Sequence, residues 1–470
     1  MFETPQIAGI TLDVPQTISA SRTTVISEDT FALSDDTLSN KRHQNCHAFS
    51  MRTIQPAAPK APAQCAKHYD RSLPEGSTIQ TIIPDRLSFV IHKRDFRSFQ
   101  TNVQRMKMKN FHFFTTAFHE AYIPFCLDFG PVNLGVVMKF CDFMKTKLSK
   151  PLLSNRHLVY CFSADWRLAS NACFLLAAYL CIEMKSTPEE ALRPFGGMVK
   201  RCTRPFRDAT FEPSDFLLTL EDCIRGLTKA LQQQWLDPTT FDLHDYAKWD
   251  SPRNGDLHQI CPKLIAFRGP VTLSRTQSGG TMHEKDLGMP SQPPEYYVQV
   301  LKNMGVSAIV RLTESDTYDA KVFESAGIRV HELFFSDCST PAITLLDKFL
   351  EVCDSEPGVV AVHCLAGLGR TGTMIGGWMI RKYGWTAKEA VGWLRIVRPG
   401  SVIGPQQHFL TRVELGSFPV DDAEDTTEDD KTGDGVEEDL RAKLSMQIKE
   451  GMQRKWDLDE RRKGVWVLSV

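Results

Sequence analysis

The sequence has no hydrophobic run long enough to cross a bilayer, because its longest apolar stretch, Ala172 to Cys181, has the length and pattern of a core helix. The N-terminus lacks the apolar segment of a secretory signal, and the 13 cysteines show no paired spacing, which predicts a reducing compartment without disulfide bonds. The formal net charge of -2 gives no reason to expect binding to nucleic acid or insertion into a membrane. No metal-ligand spacing is present, so neither a metal nor another cofactor is expected.

The composition of the 470-residue chain predicts that its folded part is about residues 83–418. Residues 1–80 are rich in Ser, Thr and Pro and lack sustained periodicity, which predicts a disordered N-terminal extension. Residues 419–470 begin with an acidic run and continue with alternating apolar and charged residues, which predicts an acidic tether and then a helix. For the stretch 438–462, a solvated helix is favoured over a partner-binding helix or an export signal.

Strand-like and helix-like segments alternate in the C-terminal half, which predicts an α/β sheet with helices on both faces. The predicted strands are 306–312, 328–335 and 358–363. The predicted helices are 316–326, 341–353, 371–383, 387–397 and 405–415. Thr386 and Glu389 have the spacing of a capping box at the start of the fourth helix.

The strongest chemical signal lies at the end of the third predicted strand. Cys364 follows this buried strand, and Arg370 follows Cys364 after a turn that contains glycine. The amides of such a loop and the start of the next helix attract an anion and favour the thiolate of Cys364 as a nucleophile. Arg370 adds a guanidinium fork that fits two phosphate oxygens. The predicted phosphate-binding residues are Leu365, Ala366, Gly367, Leu368, Gly369 and Arg370.

A cysteine nucleophile needs an acid that protonates the leaving oxygen, and Asp337 is the candidate. It follows a strand of the same predicted sheet, so it should lie on the same edge as Cys364. After the first transfer, the ionised Asp337 would act as the base that activates water against the cysteinyl-phosphate. The alternative is that Asp337 caps the helix near Pro341, but Ser339 and Thr340 are closer candidates for that cap.

Four further residues are predicted to support the reaction. Thr371 can donate a hydrogen bond to the sulfur of Cys364, and His363 is expected to order the loop by hydrogen bonding rather than to transfer protons. Gln406 and Gln407 are candidates for orienting the water, although ordinary polar residues at a helix start explain them nearly as well.

The upstream half contains a second Cys-to-Arg interval, Cys161 to Arg167, after a strand-like segment at 157–160. This interval has no glycine, Asp165 would repel an anion, and Leu168 replaces the hydroxyl residue. A packed remnant with buried Cys161 is therefore favoured over a second active site. The expected organisation is an inactive α/β domain at 83–212, a helical linker at 213–250 and a catalytic domain at 251–418.

With these residues in place, the chain resembles the protein tyrosine and dual-specificity phosphatases, and more narrowly the cell-division-cycle-fourteen (mitotic-exit) family. The resemblance covers about residues 83–415 and depends on the acid loop from Phe334 to Pro341, the loop 363–373 and the segment from Arg398 to Gln407. It implies a tandem of two dual-specificity-phosphatase-like domains, each with a central, mostly parallel sheet flanked by helices. The substrate would lie in a groove between the domains.

The resemblance also implies a substrate class and a location. Family members favour phosphoserine followed by proline with basic residues beyond, oppose cyclin-dependent kinases, and accept phosphotyrosine. Asp250 and Asp256 match acidic groove positions of the family, whereas Ala247 does not match a third such position and Arg253 adds a positive charge nearby. The expected locations are the nucleus or nucleolus, the cytoplasm, and the centrosome or spindle. Oligomeric state is left open.

Two departures from the family lie close to the expected chemistry. Leu365 stands where the family usually has lysine, and Cys338 stands where glycine follows the acid. A reversible disulfide between Cys338 and Cys364 is a hypothesis that follows from the second departure. Two other functions stay open, a phosphoinositide phosphatase and a catalytically weak phosphopeptide-binding scaffold. The first usually has lysines in the loop, where this chain has Leu365 and Leu368.

Overall fold

The computed structural model describes residues 78–92, 110–197, 199–272, 291–418 and 434–462. The predicted disordered extension, 1–80, lies outside the described residues except at its end. There the prediction is wrong, because residues 78–80 already belong to the first strand and pair with its neighbour. The first sheet therefore begins before residue 83.

The first domain contains a four-stranded sheet in the order β1-β2-β4-β3. Strand β2 is antiparallel to β1 and parallel to β4, and β3 is parallel to β4. The middle of β4 is buried throughout, which is typical of a strand covered on both faces. The strands are β1 (Thr78–Ile83), β2 (Leu87–His92), β3 (Phe111–Phe114) and β4 (His157–Ser163).

The helices of the first domain cover this sheet. Helix α2 contains the stretch from Ala172 to Cys181, and every residue of that stretch is buried, as expected for a core helix. Among the described residues, no helix is both long and apolar enough to span a membrane. The helices are α1 (Leu134–Ser149), α2 (Trp166–Ile182), α3 (Pro188–Leu192) and α4 (Val199–Cys202).

The second domain contains a five-stranded sheet in the order β5-β6-β9-β7-β8, with only the β5–β6 pair antiparallel. Strand β9 lies at the centre, so the residue at its C-terminal end is flanked on both sides by parallel neighbours. The strands are β5 (Leu257–Gln259), β6 (Leu264–Arg268), β7 (Val306–Arg311), β8 (Arg329–Glu332) and β9 (Val359–Cys364).

Two predicted elements of this domain are shorter than expected. The strand predicted at 328–335 ends at Glu332, because the chain leaves the sheet after the amide of Leu333 bonds the carbonyl of Arg311. The helix predicted at 316–326 is divided into a 3-10 turn and a short helix, α8. The helices are α7 (Pro294–Asn303), α8 (Lys321–Glu324), α9 (Ile343–Ser355), α10 (Gly369–Tyr383), α11 (Ala387–Val397) and α12 (Pro405–Leu415).

The predicted capping box at α11 is confirmed, since Thr386 and Glu389 bond each other's backbone amides. The predicted linker 213–250 contains helices α5 (Leu220–Gln232) and α6 (Leu243–Asp250). Helix α5 begins only at Leu220, because Leu218 before it pairs with Phe206 in an antiparallel bridge.

Helix α5 packs closely against α11 and so joins the two domains. A side chain at Gly226 would lie 2.5 Å from the carbonyl oxygen of Glu389, so glycine permits the close approach of the two backbones. Lys229 of α5 forms an ion pair with the same Glu389 across 2.9 Å. The helical part of the linker is therefore packed into the structure.

The C-terminal helix, α13 (Asp434–Arg462), is helical as predicted, but it is not a solvated tail. Leu444, Ile448 and Met452 are buried on one of its faces, where they join an apolar cluster that includes Leu368 and Ile403 of the second domain. The prediction of a solvated helix is wrong because these apolar side chains recur at helical spacing and find an apolar surface to cover.

Candidate active site

The candidate nucleophile, Cys364, is the last residue of the central strand β9. Helix α10 begins at Gly369, two residues earlier than predicted, and its N-cap residue, Leu368, makes no side-chain hydrogen bond to the helix. The first amides of α10 are therefore left for a ligand, and the helix dipole favours an anion there. Only 2% of the Cys364 surface is exposed.

The predicted phosphate loop is held by Arg398, a residue for which no sequence pattern predicts a role. Its guanidinium donates to the carbonyl oxygen of Gly367 across 2.7 Å and to that of Ala366 across 2.9 Å. The C=O and N–H groups of a trans peptide point in opposite directions. Because these two carbonyls bond Arg398, the N–H groups of the same peptides point away from Arg398, toward the interior of the loop. Arg398 is itself buried and bonded to Asp256 and His258.

The carbonyls at the start of the loop are also bonded. Nδ1 of His363 lies 3.1 Å from the carbonyl oxygen of Cys364, while Nε2 lies 2.9 Å from the hydroxyl of Tyr318. The carbonyl of Leu365 accepts from the amide of Gly269. Burial lowers the pKa of His363 to about 3, so the ring is neutral and makes these two contacts as an uncharged imidazole.

Gly367 allows the sharp turn of the loop. Its φ is 69°, in the left-handed region, and a Cβ there would lie 2.1 Å from the carbonyl oxygen of Phe267. Both the conformation and the close approach exclude larger residues. A glycine is therefore required where the loop crosses strand β6.

Arg370 is buried and points into the site from the first turn of α10. Its Nη1 donates to the carbonyl oxygens of Leu312 and Phe335, both at 3.0 Å. Its Nε lies 3.1 Å from Oδ1 of Asp337, but the angle is outside hydrogen-bond geometry, so this N–H has no hydrogen-bond partner among the described residues. A buried, unpartnered guanidinium N–H beside an anion-binding loop is suited to a phosphate oxygen.

Asp337 lies on the loop after β8, and its carboxylate is close to the guanidinium of Arg370. Oδ1 accepts from the amide of Cys338 at 3.1 Å, and Oδ2 accepts from the hydroxyl of Ser445 at 2.9 Å. The alternative that Asp337 caps the next helix is wrong, because α9 begins at Ile343 and no side chain caps it. Its carboxylate is partly exposed, as an acid that contacts substrate must be.

Thr371, Gln406 and Gln407, which were predicted to support the reaction, differ in their hydrogen bonds. The hydroxyl of Thr371 is fully buried and has no hydrogen-bond partner among the described residues, so the predicted bond to the sulfur is not formed. Gln406 lies against Gly369 of the loop and donates to the carbonyl of Ser339 on the acid loop. Gln407 instead accepts from Arg395 and donates to a backbone carbonyl, so its amide is already used in the core.

The structure brings together Asp250 and Asp256, the two predicted groove residues. Both carboxylates bond Nζ of Lys455, at 3.0 and 3.1 Å, and Asp256 also bonds Arg398. Burial by itself raises the pKa of Asp256, but attraction to Arg398 and Lys455 outweighs it and lowers the pKa to about 2. Both groove positions are therefore anionic and already paired with cations.

No metal-ligand cluster is expected from the sequence, yet Asp250, Asp256 and His258 have donor atoms within 4.8 Å of one another. The cations of Lys455 and Arg398 occupy the same cluster. In this structure the cluster therefore binds two cationic groups, the ammonium of Lys455 and the guanidinium of Arg398.

The upstream Cys-to-Arg interval has none of these features. Cys161 is fully buried within β4, as predicted, and burial raises the pKa of its thiol. The carboxylate of Asp165 accepts from the amides of Arg167 and Leu168, so it occupies the helix N-terminus that an anion would need. The guanidinium of Arg167 lies over Trp166.

The departures from the family pattern also have physical consequences. Cys338 is buried with φ of 57°, a left-handed conformation that glycine adopts more easily. Burial raises the pKa of Cys338, and both Cys338 and Cys364 are free thiols in the structure. Leu365 is half-buried, and Ala247 lies on α6 with Asp250.

Comparison with known proteins matches both domains. The family model described as the N-terminal half of dual specificity protein phosphatases matches residues 81–230, and the model described as a DSP-PTPase phosphatase of polymorphic toxin systems matches residues 287–384. The first match continues through α5, so it includes part of the predicted linker. A solved structure, Tk-PTP in the active form, is 24% identical, covers 34% of this chain and 96% of that chain, and has a TM-score of 0.27.

Curated relatives match about two thirds of this chain. The dual specificity protein phosphatase CDC14AB of Danio rerio is 42% identical over 302 residues, which are 64% of this chain and 48% of that protein. CDC14A of Homo sapiens is 41% identical over 302 residues, 64% of this chain and 49% of that protein. The tyrosine-protein phosphatase CDC14 homolog of Schizosaccharomyces pombe is 37% identical over 306 residues, 64% of this chain and 55% of that protein. The chain thus spans about half the length of these relatives.

Proposed function

Since the two domains of this chain belong to the CDC14 family of dual-specificity protein phosphatases, we propose that it hydrolyses phosphate esters on proteins through a cysteinyl-phosphate. One observation supports this most directly. The loop after Cys364 has its carbonyls bonded outward, and the Arg370 guanidinium lies beside that loop and within 3.1 Å of the Asp337 carboxylate. Nucleophile, anion site and acid therefore meet at one place.

The proposed reaction has two steps. The thiolate of Cys364 attacks phosphorus and forms a P–S bond, the P–O bond to the protein substrate breaks, and Asp337 gives its proton to the leaving oxygen. Water then attacks phosphorus, its proton returns to Asp337, and the P–S bond breaks to release inorganic phosphate. Arg370 and the loop amides stabilise the charge on the phosphate oxygens in both transition states. His363 and Arg398 act by positioning the loop.

We further propose that the preferred substrates are phosphoserine or phosphothreonine followed by proline with a basic residue beyond, and that phosphotyrosine is also accepted. The ionised pair of half-buried Asp250 and buried Asp256 supports the basic preference, because the pair binds an ammonium group within the structure itself. The enzyme would then oppose cyclin-dependent kinases in cell division. The proposed locations are the nucleus or nucleolus, the cytoplasm, and the centrosome or spindle.

A phosphoinositide phosphatase is the second candidate, and the loop argues against it. Enzymes that bind several phosphates need several cations near the first phosphate, whereas this loop carries Leu365 and Leu368, with Leu368 buried in an apolar cluster. A pure phosphopeptide scaffold would retain binding but turn over no substrate.

The deciding experiment is a panel of phosphopeptides hydrolysed by the purified full chain. The panel varies phosphoserine, phosphothreonine and phosphotyrosine, proline or alanine at the next position, and lysine or glutamate beyond, and includes a soluble phosphoinositide. We expect turnover to be highest with phosphoserine, proline and lysine together, and to be lost in Cys364→Ser. Phosphotyrosine preference without proline dependence would overturn the substrate assignment, and an inert wild-type chain would favour the scaffold.

A further inference from the structure

The C-terminal helix α13 covers the candidate active site. Its buried residues Leu444, Ile448 and Met452 pack with Ala366 and Leu368 of the phosphate loop. These three apolar residues recur at intervals of four along the helix, so they form one face. That face lies against the loop that would receive the phosphate group.

Two polar residues of the same helix contact the groups proposed to recognise substrate. The hydroxyl of Ser445 donates to Oδ2 of Asp337, where the leaving oxygen of a phosphoserine would receive its proton. Nζ of Lys455 bonds both Asp250 and Asp256, where a substrate lysine would bind. The proposed product is a dephosphorylated peptide. It would likewise place a serine hydroxyl at Asp337 and a lysine ammonium group between Asp250 and Asp256.

The helical geometry explains how one segment reaches both places. At a rise of about 1.5 Å per residue, Ser445 and Lys455 are separated by about 15 Å along the helix axis. An extended peptide covers the same length with four or five residues at about 3.3 Å each. A helix of this length therefore spans the distance that a short extended substrate would span.

Further contacts fix the helix to both domains. On the first domain, Oε1 of Gln447 accepts from the amide of Phe211, and Arg454 donates to the carbonyl of Phe125. Near the second domain, the carboxylate of Asp459 accepts from the hydroxyl of Ser251 across 2.7 Å. The helix therefore contacts both domains.

We propose that α13 is an inhibitory segment that binds the groove in cis, so that a phosphoprotein must displace it to reach Cys364. This inference depends on the proposed function for the identity of the competing ligand. Tethering within one chain gives the segment an effective concentration on the order of millimolar, which a dilute substrate must overcome. Displacement exposes the acidic pair and the phosphate loop together, so a substrate with both phosphate and lysine competes best.

The test introduces two charges on the buried face of the helix in the full-length chain, as Ile448→Glu/Met452→Glu. The matched control, Leu440→Glu/Met446→Glu, introduces the same charges on the same helix at side chains that are 40% and 58% exposed. Hydrolysis of p-nitrophenyl phosphate and of a lysine-containing phosphoserine peptide is measured for each. We expect the inner-face variant to lower KM roughly tenfold or more with little change in kcat, because losing buried apolar contacts weakens the competitor.

A second readout does not require phosphatase activity. Alkylation of Cys364 by iodoacetamide, followed by mass spectrometry, is expected to be roughly tenfold faster or more in the inner-face variant than in wild type or the control. If no protein hydrolyses any substrate but this difference in labelling is found, the proposed phosphatase function fails and the inhibitory contact stands.

Equal labelling rates and equal KM values in all three proteins would overturn the proposal, and so would a loss of activity in a folded inner-face variant. If that variant does not fold, as judged by circular dichroism, Lys455→Ala replaces it. Removing one partly exposed ammonium group leaves the apolar face intact, and we expect KM for the lysine-containing peptide to fall severalfold. An unchanged KM in Lys455→Ala would contradict the proposal.

Discussion

Arg398 donates from Nε to the carbonyl oxygen of Gly367 across 2.7 Å, and from Nη1 to a carboxylate oxygen of Asp256 across 3.0 Å. A single buried guanidinium therefore connects the phosphate loop to the acidic groove. The loop keeps its amides directed inward only while its carbonyls remain bonded outward. The acidic pair proposed to bind a substrate lysine and the shape of the proposed phosphate site thus both depend on one side chain.

Arg398→Lys is expected to lower kcat/KM by roughly a hundredfold, because lysine keeps the charge but cannot bond two adjacent carbonyls in a fixed fork. Loss of the buried network should also lower the free energy of unfolding by about 3 kcal/mol. Steady-state kinetics and urea unfolding measure the two effects. Arg412→Lys, at an exposed position on α12, is the control. A variant with wild-type kcat/KM would contradict the role given to Arg398.

Gly367→Ala is expected to abolish activity, since the new Cβ would collide with the carbonyl oxygen of Phe267 and force the loop out of shape. Gly327→Ala is the matched control, because φ there is also positive, 82°, but nothing lies within 4 Å of a new Cβ. The control should lose about 1 kcal/mol of unfolding free energy and keep its kcat/KM. Similar kinetics in the two variants would show that the close approach is unimportant.

The local order of strand, loop and helix around Cys364 could be predicted from the sequence because each feature has a short-range signature. A buried β-branched strand, glycines and a helix start follow one another between Val359 and Thr371. The position of Asp337, the proposed acid, was predictable for a related reason, since the ends of parallel strands meet at one edge of a sheet. The capping box of α11 is likewise local.

Long-range partners could not be predicted in this way. Arg398 lies far along the chain from Gly367, and no local pattern indicates that its guanidinium turns back to the loop. Gln407 has the position of a helix N-terminal residue, yet Arg395 of the preceding helix takes its side chain into the core. The apolar face of α13 was visible in its spacing, but the surface that it covers is assembled from both domains.

Glu356 provides a prediction for stability in acid. The pKa of its carboxyl group is lowered to about 2, mainly by the hydrogen bond from Arg329. Hydrogen bonds with His331 and Ser307 also lower this pKa, whereas burial raises it. Because the folded pKa lies below the unfolded value, the carboxylate's stabilisation is complete above about pH 4.5 and is lost as the pH falls toward 2. The shift corresponds to about 3 kcal/mol at neutral pH.

Glu356→Gln is therefore expected to be less stable than wild type at pH 7, and the difference should shrink as the pH falls from about 4.5. Urea unfolding at several pH values measures this convergence. Glu351→Gln, at an exposed position of α9, is the matched control. A gap that stays constant for Glu356→Gln down to pH 3 would contradict the lowered pKa.

Asp337→Asn tests the acid by changing the leaving group. An amide cannot give a proton, so kcat/KM, which reports the first step, should fall by roughly a hundredfold or more for a phosphoserine peptide with its poor alkoxide leaving group. An aryl phosphate with a stable phenoxide needs less protonation and should lose much less. Asp347→Asn, an exposed aspartate on α9, should leave both substrates unaffected.

The contact from Ser445 complicates this comparison, because the same substitution also removes a hydrogen-bond acceptor for α13. Repeating it in the Ile448→Glu/Met452→Glu background separates the two effects. There the helix contact is already weakened, so what remains is the role of the carboxyl group in proton transfer. A loss that is equal for the phosphoserine peptide and the aryl phosphate in both backgrounds would mean that Asp337 positions Arg370 rather than protonating the leaving oxygen.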